Sequence, residues 1–247
     1  MRVSIITVAY NSASTIRDTI ESVLVQDHPE LEYIIVDGNS KDDTLTIVQE
    51  YGDKISRVIS EKDKGIYDAM NKGIALATGD VVGILNSDDF YADSQVISEV
   101  VRQFNQTNTD SVYGDLDYVK ALPPFEVVRK WRSGAFDALR FYKGWMPPHP
   151  SFFIKRSCYQ QFGVFNLQFK RAADYELMLR MLLKNSVSSS HLSKVLVKMR
   201  VGGASNASFK ARMEANQEDR LAWKVNGLKP KWLTLVRKPF SKILQYF

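Results

Sequence analysis

The amino-acid sequence predicts an α/β fold: a mostly parallel sheet with helices on both faces, followed by an amphipathic helical tail. Two observations carry this expectation. Apolar runs of strand length alternate with segments whose apolar residues recur at helical spacing, from Val3 to about Leu85. The runs are continuously apolar, the pattern of strands covered on both faces, and right-handed crossovers would join them. With 247 residues and 45% hydrophobic composition, the chain can bury one large core with a small appendage.

Taken in order, Val3 to Val8 is the first strand, and the Tyr10-Asn11-Ser12 turn leads to a helix that Ser14 can cap. Ile16, Ile20, Val23 and Leu24 form its apolar face. Tyr33 to Val36 is the second strand, and Ser40 with Asp43 gives the capping pattern of a helix running to about Tyr51. Ile55 to Ile59 is the third strand, followed by a helix over Tyr67 to Ala77 that Thr78-Gly79 closes. Val81 to Leu85 is the fourth strand, and Asp93 or Ser94 can cap the next helix. Asp110 to Asp115 reads as another strand, and Asp117 to Val128 as an excursion broken by Pro123-Pro124. Trp131 to Pro150 lacks a regular period and is long for a loop, so it is expected to line a site or act as a lid. A short strand at Phe152-Phe153-Ile154 follows, then a largely buried helix through Leu177, Leu179, Met181, Leu182 and Leu183. Ser208 to Val225 reads as an amphipathic helix, and Pro239 splits the remainder into two short ones.

Charge and cysteine usage narrow the function class. The chain carries +5, yet Lys229, Lys231, Arg237, Lys238 and Lys242 supply all of the excess, leaving 28 basic against 28 acidic residues before them. A neutral body argues against a nucleic-acid groove. One cysteine, Cys158, excludes an intramolecular disulfide framework and a thiolate metal cluster, and it suits a buried place in a reducing compartment. The N-terminus meets polar residues too soon for a secretory signal, and no run reaches the roughly 18 apolar residues of a membrane span. A cytoplasmic protein is expected.

Polar residues gather where the apolar runs end. A parallel sheet places its chemistry in the crevice outside the carboxyl ends of its strands. Ala9-Tyr10-Asn11, Asp37-Gly38 and Asn86-Ser87-Asp88-Asp89 all fall there. An aromatic face and a carboxylate at the first two suit a nucleobase. The paired acids Asp88 and Asp89 suit Mg²⁺ or Mn²⁺ carrying a diphosphate, although the same pair also suits a simple turn. No GxxxxGK or GxGxxG element follows the first strand, which disfavours an ATPase or a dinucleotide oxidoreductase.

The segments SIITVAYN, IIVDGNSKDDT, DKGIYDAMNKGIALATGD and ILNSDD, in this order, resemble the inverting family 2 glycosyltransferases with the GT-A fold. DKGIYDAMNKG, VYGD and GWMPPHPSFF further resemble bacterial enzymes that build exopolysaccharides of the colanic-acid type, or glycolipids. The resemblance covers about residues 1 to 200. It implies a donor site of Ala9, Tyr10, Asp37, Asp63, Lys64, Asn71, Asn86, Ser87 and Asp88, with Tyr10 and Asp37 at the base. Lys64 or Asn71 would reach phosphate or sugar; Lys64 equally reads as a solvated surface lysine. Asp88 matches the metal-touching acid of the Asp-x-Asp motif, Asp89 a helper, and His149 a metal or diphosphate contact. Asn86 stands where the motif has its first acid and brings no charge. The resemblance places the catalytic base in the acidic segment before the apolar helix, at Asp174 with Glu176 in reserve. Asp174 also reads as a helix cap.

The implied activity is a metal-dependent transfer, with inversion, from a nucleotide-diphosphate sugar, UDP-linked by expectation, to a lipid-linked or polysaccharide acceptor. The rivals are a non-catalytic membrane-surface or nucleic-acid interaction protein on a degenerate transferase fold, and a nucleotidyltransferase. The expected division is a transferase domain over residues 1–205 and a helical segment over 206–247. Over residues 229–247 of that segment, bases interleave with Trp232, Leu233, Leu235, Val236, Phe240, Ile243, Leu244, Tyr246 and Phe247. Such a composition suits peripheral attachment to an anionic inner membrane face, or a helix docked on the body.

Overall fold

β1 (Val3–Ala9) is buried along its whole length and lies between β2 (Leu31–Asp37) and β4 (Val81–Asn86), parallel to both. β3 (Arg57–Ser60) adds a parallel edge to β2. The structure is a computed structural model that describes residues 1–202, 209–231 and 234. On the far side of β4 the sheet changes character. β8 (Phe152–Lys155) runs antiparallel to β4, and β6 (Ser111–Val119) antiparallel to β8. β9 (Ser189–Arg200) is parallel to β6, and the short β5 (Asp89–Tyr91) is antiparallel to β9. β7 (Val127–Trp131) forms a hairpin with β6. The expectation of a mostly parallel sheet therefore holds for the half containing β1 to β4 and gives way to mixed pairing beyond it.

Side chains alternate across the sheet, as period-two geometry dictates. Ile6, Val8, Ile34, Val36, Val82 and Ile84 face one core cluster; Val3, Ile5, Ala9, Tyr33, Ile35, Val81 and Leu85 face another. α3 (Ile66–Leu76), α5 (Arg156–Phe162) and α6 (Ala173–Met178) pack on the first face. α1 (Ile16–Leu24), α2 (Thr44–Gln49) and α4 (Val96–Thr107) pack on the second. Gly73 is required where α3 crosses β1: a Cβ there would lie 2.3 Å from the Ile6 Cγ2. Ser14 does not cap α1. Thr15 precedes the helix without a side-chain cap, and the Ser12 carbonyl accepts the Thr15 and Ile16 amides instead.

α7 (Phe209–Val225) follows the expected helical pattern but does not form a second unit. Ala222 and Trp223 are fully buried in the first core, and the Trp223 indole N–H donates to the Tyr175 hydroxyl at 2.9 Å. α7 therefore packs on the core that it shares with the sheet. The basic-aromatic stretch begins by docking: the buried Thr234 donates through Oγ1 to the Tyr142 carbonyl at 2.8 Å. Residues 232–233 and 235–247, where the expected membrane segment mainly falls, lie outside the described residues. Among the described residues no helix is long and apolar enough to cross a membrane.

The segment expected as a lid is pinned. The Ser133 carbonyl accepts from both Arg140 Nη1 at 2.8 Å and Trp145 Nε1 at 3.1 Å, while the Ser133 amide donates to Asp115 at 2.9 Å. Trp145 packs among Tyr113, Phe136 and Phe141.

Candidate active site

Register sets the site. Ala9 pairs with Asp37, Val8 with Asn86, and Asp37 with Ser60, so the carboxyl ends of β1 to β4 finish in one row. Strand spacing of about 4.8 Å brings the residues just past these ends within reach of one ligand. The first two loops are bound together. Asn11 N donates to Ser40 Oγ at 2.8 Å, Lys41 N to Asn11 Oδ1 at 2.8 Å, and Ser12 N to Thr44 Oγ1 at 2.7 Å. The Ser12 and Ser87 hydroxyls share a hydrogen bond of 2.7 Å, which joins these loops to the end of β4.

This pinned backbone leaves Tyr10 63% exposed, an aromatic face open at the edge. Gly38 lies between Tyr10 and Asp63: a Cβ there would meet Asp63 Oδ2 at 2.5 Å and the Tyr10 Cδ2 at 3.4 Å. Tyr10 and Asp63 therefore flank one narrow slot. Asp37, expected at the base, is fully buried. Its carboxylate accepts from the Ser40 hydroxyl, from Ser40 N at 3.1 Å and from Ser60 Oγ at 2.6 Å, so it holds the loop. Ala9 is buried too, its carbonyl accepting Gly38 N at 2.8 Å. These two shape the slot from beneath.

Asn71, expected at phosphate or sugar, is spent elsewhere. Its Nδ2 donates to the Phe165 carbonyl and its Oδ1 accepts the Phe165 amide, both at 2.9 Å. Lys64 is exposed and has no ion-pair partner among the described residues; its backbone amide anchors to Asp68 Oδ2 at 3.0 Å. It keeps a free ammonium at the site edge.

At the end of β4 the carboxylates differ in placement. Asp88 is partly buried, and desolvation raises its pKa, with the Arg200 charge opposing. Asp89 is fully buried, with its pKa raised well above the carboxylate range by desolvation and then by Asp88. Asn86 Nδ2 donates to Asp89 Oδ2 at 3.2 Å. The other oxygens of this pair, Asn86 Oδ1 and Asp89 Oδ1, are buried without a partner. Buried acceptors rarely stay unsatisfied, and an oxygen-rich set with two such acceptors fits a hard divalent cation. A bound cation would also reverse the local pKa order.

Among the described residues no group of three His, Cys, Asp or Glu side chains has metal-binding geometry, so Asp88, Asp89 and His149 do not gather as one such group. Burial holds the His149 imidazole below the ordinary histidine range, against the opposing charge of Asp174. Its ring meets Phe165 edge-on at 5.4 Å, and Phe165 stacks on Tyr67 at 5.4 Å.

Asp174 lies in the first turn of α6, partly exposed. Its Oδ1 accepts the Tyr175 amide at 2.8 Å and, at 3.3 Å, shares the Tyr67 hydroxyl proton with the Arg171 carbonyl, which lies at 3.1 Å. Because Tyr67 opens α3 directly after the β3 loop, this bond ties Asp174 to the same edge as Asp63 and Lys64. Glu176 is 2% exposed and fully engaged: Arg180 grips it bidentately, both bonds 2.9 Å, and Asn226 Nδ2 adds 3.1 Å. It forms a buried ion pair in the packing of α6 against α7.

Several supporting residues escaped the sequence reading. Tyr67 orients Asp174, and Glu218 on α7 accepts the amides of Lys170, Arg171 and Ala172 at 2.8 to 3.0 Å, fixing the approach to α6. Tyr67 lay inside a motif already singled out; Glu218 carried no signal, being one acid on a charged helix.

The model for glycosyl transferase family 2 matches residues 4–165. An uncharacterized glycosyltransferase of Mycobacterium tuberculosis is 31% identical over 188 residues, covering 72% of this chain and 68% of the relative. A PGL/p-HBAD biosynthesis glycosyltransferase of Mycobacterium bovis is 28% identical over 208 residues, covering 82% and 78%. Among solved structures, S. aureus TarS 1-349 in complex with UDP-GlcNAc superposes with a TM-score of 0.74 at 20% identity, over 92% of this chain and 65% of that one. The mannosyltransferase PcManGT of Pyrobaculum calidifontis, in complex with GDP-Man and Mn²⁺, gives 0.66 at 18% identity, over 97% and 69%. With the GT-A fold matched in space and the family pattern matched over most of the sheet, the chain belongs to glycosyl transferase family 2.

Proposed function

We propose that the chain transfers a sugar, with inversion, from a UDP-sugar to a lipid-linked or polysaccharide acceptor in bacterial cell-surface glycan synthesis. One observation carries the reading: Tyr10, Asp63 and the Asn86–Asp88 turn occupy adjoining strand ends, and Tyr67 ties a partly exposed carboxylate, Asp174, to that edge. The donor complexes of TarS and PcManGT support a nucleotide-sugar, and the PGL/p-HBAD relative supports a glycolipid acceptor.

The Tyr10 ring offers a stacking face to the base, and Asp63, across Gly38, accepts its imide hydrogen. Lys64 extends toward the diphosphate. Asn86 and Asp88, with Asp89 behind them, would hold Mg²⁺ or Mn²⁺. When bound there, the cation stabilises the charge developing on the leaving diphosphate. Asp174 removes the proton of the acceptor hydroxyl as that oxygen attacks the anomeric carbon opposite the diphosphate. The Tyr67 hydroxyl, bonded to the Arg171 carbonyl at 3.1 Å and to Asp174 at 3.3 Å, anchors the start of α6 beside this edge. The buried neutral His149 and the Phe165 ring back this region without adding a second base.

Peripheral attachment at the inner membrane face belongs to the same reading, supported by the bases and aromatics after residue 231. Because Thr234 already docks on Tyr142, the attaching residues are placed after it. A panel of nucleotide-sugars, screened by thermal stabilisation with and without Mn²⁺ and then for metal-dependent nucleotide release, tests the donor assignment. Stabilisation by a UDP-sugar and release of UDP is expected; a full panel without either result contradicts it.

A further inference from the structure

We infer that Arg200, at the end of β9, is a positioning residue for the Asp88 turn. It acts through the Asp88 peptide, and the inference rests on the reading of Asp88 as the metal carboxylate. Arg200 is 5% exposed, an expensive place for a guanidinium unless its donors are occupied. Nη1 donates to the Asp88 carbonyl at 2.7 Å, Nη2 to Asp18 Oδ2, and Nε to the Ala121 carbonyl at 3.2 Å. The rings of Phe90 and Phe125 lie 4.9 and 5.0 Å from its carbon centre, adding cation–π contacts.

One side chain therefore joins α1, the β4–β5 turn and the β6–β7 hairpin, three segments far apart in sequence. The hairpin bears strain at the contact: Phe125 adopts φ +56°, a left-handed conformation that bulky residues rarely take, and its ring reaches both Arg200 and Phe90. Fixing the Asp88 carbonyl at 2.7 Å fixes the backbone from which its carboxylate projects. A lysine could pair with Asp18 as a point charge but could not also hold two carbonyls in a planar fork.

The test is calorimetric titration of Mn²⁺ into UDP-saturated protein for wild type, Arg200→Lys, Asp18→Asn and Phe125→Ala, alongside circular dichroism and Tm. Arg200→Lys is expected to stay folded and bind Mn²⁺ at least about tenfold more weakly, with metal-free UDP affinity unchanged. Asp18→Asn keeps the bond to Asp88, so its Mn²⁺ affinity is expected within about threefold of wild type. Wild-type Mn²⁺ affinity in folded Arg200→Lys overturns the inference. So does an equal loss of Tm and Mn²⁺ affinity in Arg200→Lys and Asp18→Asn, which marks a purely structural role. If Arg200→Lys does not fold, Phe125→Ala, altered on the hairpin surface, decides: weaker Mn²⁺ binding supports positioning and wild-type binding overturns it. Wild-type protein that binds no UDP with Mn²⁺ removes the donor-site reading itself.

Discussion

Replacing Asp174 with Asn separates a base from a helix cap. The carboxylate accepts two hydrogen bonds, from the Tyr175 amide at 2.8 Å and the Tyr67 hydroxyl at 3.3 Å, and an amide oxygen can accept both. The loss is the charge assistance of two partly exposed bonds, roughly 1–2 kcal/mol. For a chain of this size that lowers Tm by roughly 2–8 °C. Against an ordinary stability of about 5–15 kcal/mol, the protein stays folded at assay temperature. An amide cannot take a proton, so turnover is expected to fall by about a hundred- to ten-thousandfold, roughly 2.7–5.5 kcal/mol in the barrier. Nucleotide release with donor and Mn²⁺ measures the rate, and UDP calorimetry measures donor affinity, expected unchanged. Turnover within about threefold of wild type in a folded variant would refute the assignment of the base.

Glu176→Ala is expected to behave in the opposite way. It leaves Arg180 without its buried partner, costing about 3–5 kcal/mol and roughly 6–20 °C in Tm, while UDP affinity of the folded protein stays within about twofold; an unchanged Tm with lost turnover would restore Glu176 as a base. His149 gives a pH signature. Its folded pKa lies below the ordinary 6.5, so the unfolded chain binds the proton more readily, and stability is full above about 6.5 and lost as pH falls from there through the folded value. His149→Gln should flatten Tm against pH between about 7 and 5; an identical slope in both proteins would place the acid sensitivity elsewhere.

The half of the fold from β1 to β4 was legible because those strands are covered on both faces, so continuous apolar runs such as Val3–Ala9 announce them. β9 was missed for the opposite reason: SSHLSKVLVKMR is half exposed and mixes polar with apolar residues, and only its pairing with β6 and β5 makes it a strand. β7 straddles the end of the stretch read as an excursion and the start of the aperiodic segment, which hid its register. At the site, motif positions were legible, and the hydrogen bonds made by their side chains were not. Asp37, Asn71 and Glu176 all stand near the site, yet each carries out an internal hydrogen-bonding task that depends on partners far off in sequence: Ser60, Phe165 and Asn226. The roles of Arg200 and Glu218 are likewise set by contacts that no local pattern encodes.

The most direct measurement is calorimetry of UDP binding to wild type and Asp88→Ala, each with and without Mn²⁺. The donor-site assignment predicts that Mn²⁺ tightens UDP binding to wild type by at least about tenfold, and that Asp88→Ala abolishes this gain because Asn86 and Asp89 alone bring too little accessible charge to hold the ion. An Asp88→Ala protein that binds UDP and Mn²⁺ as tightly as wild type would contradict it and move the metal away from the end of β4.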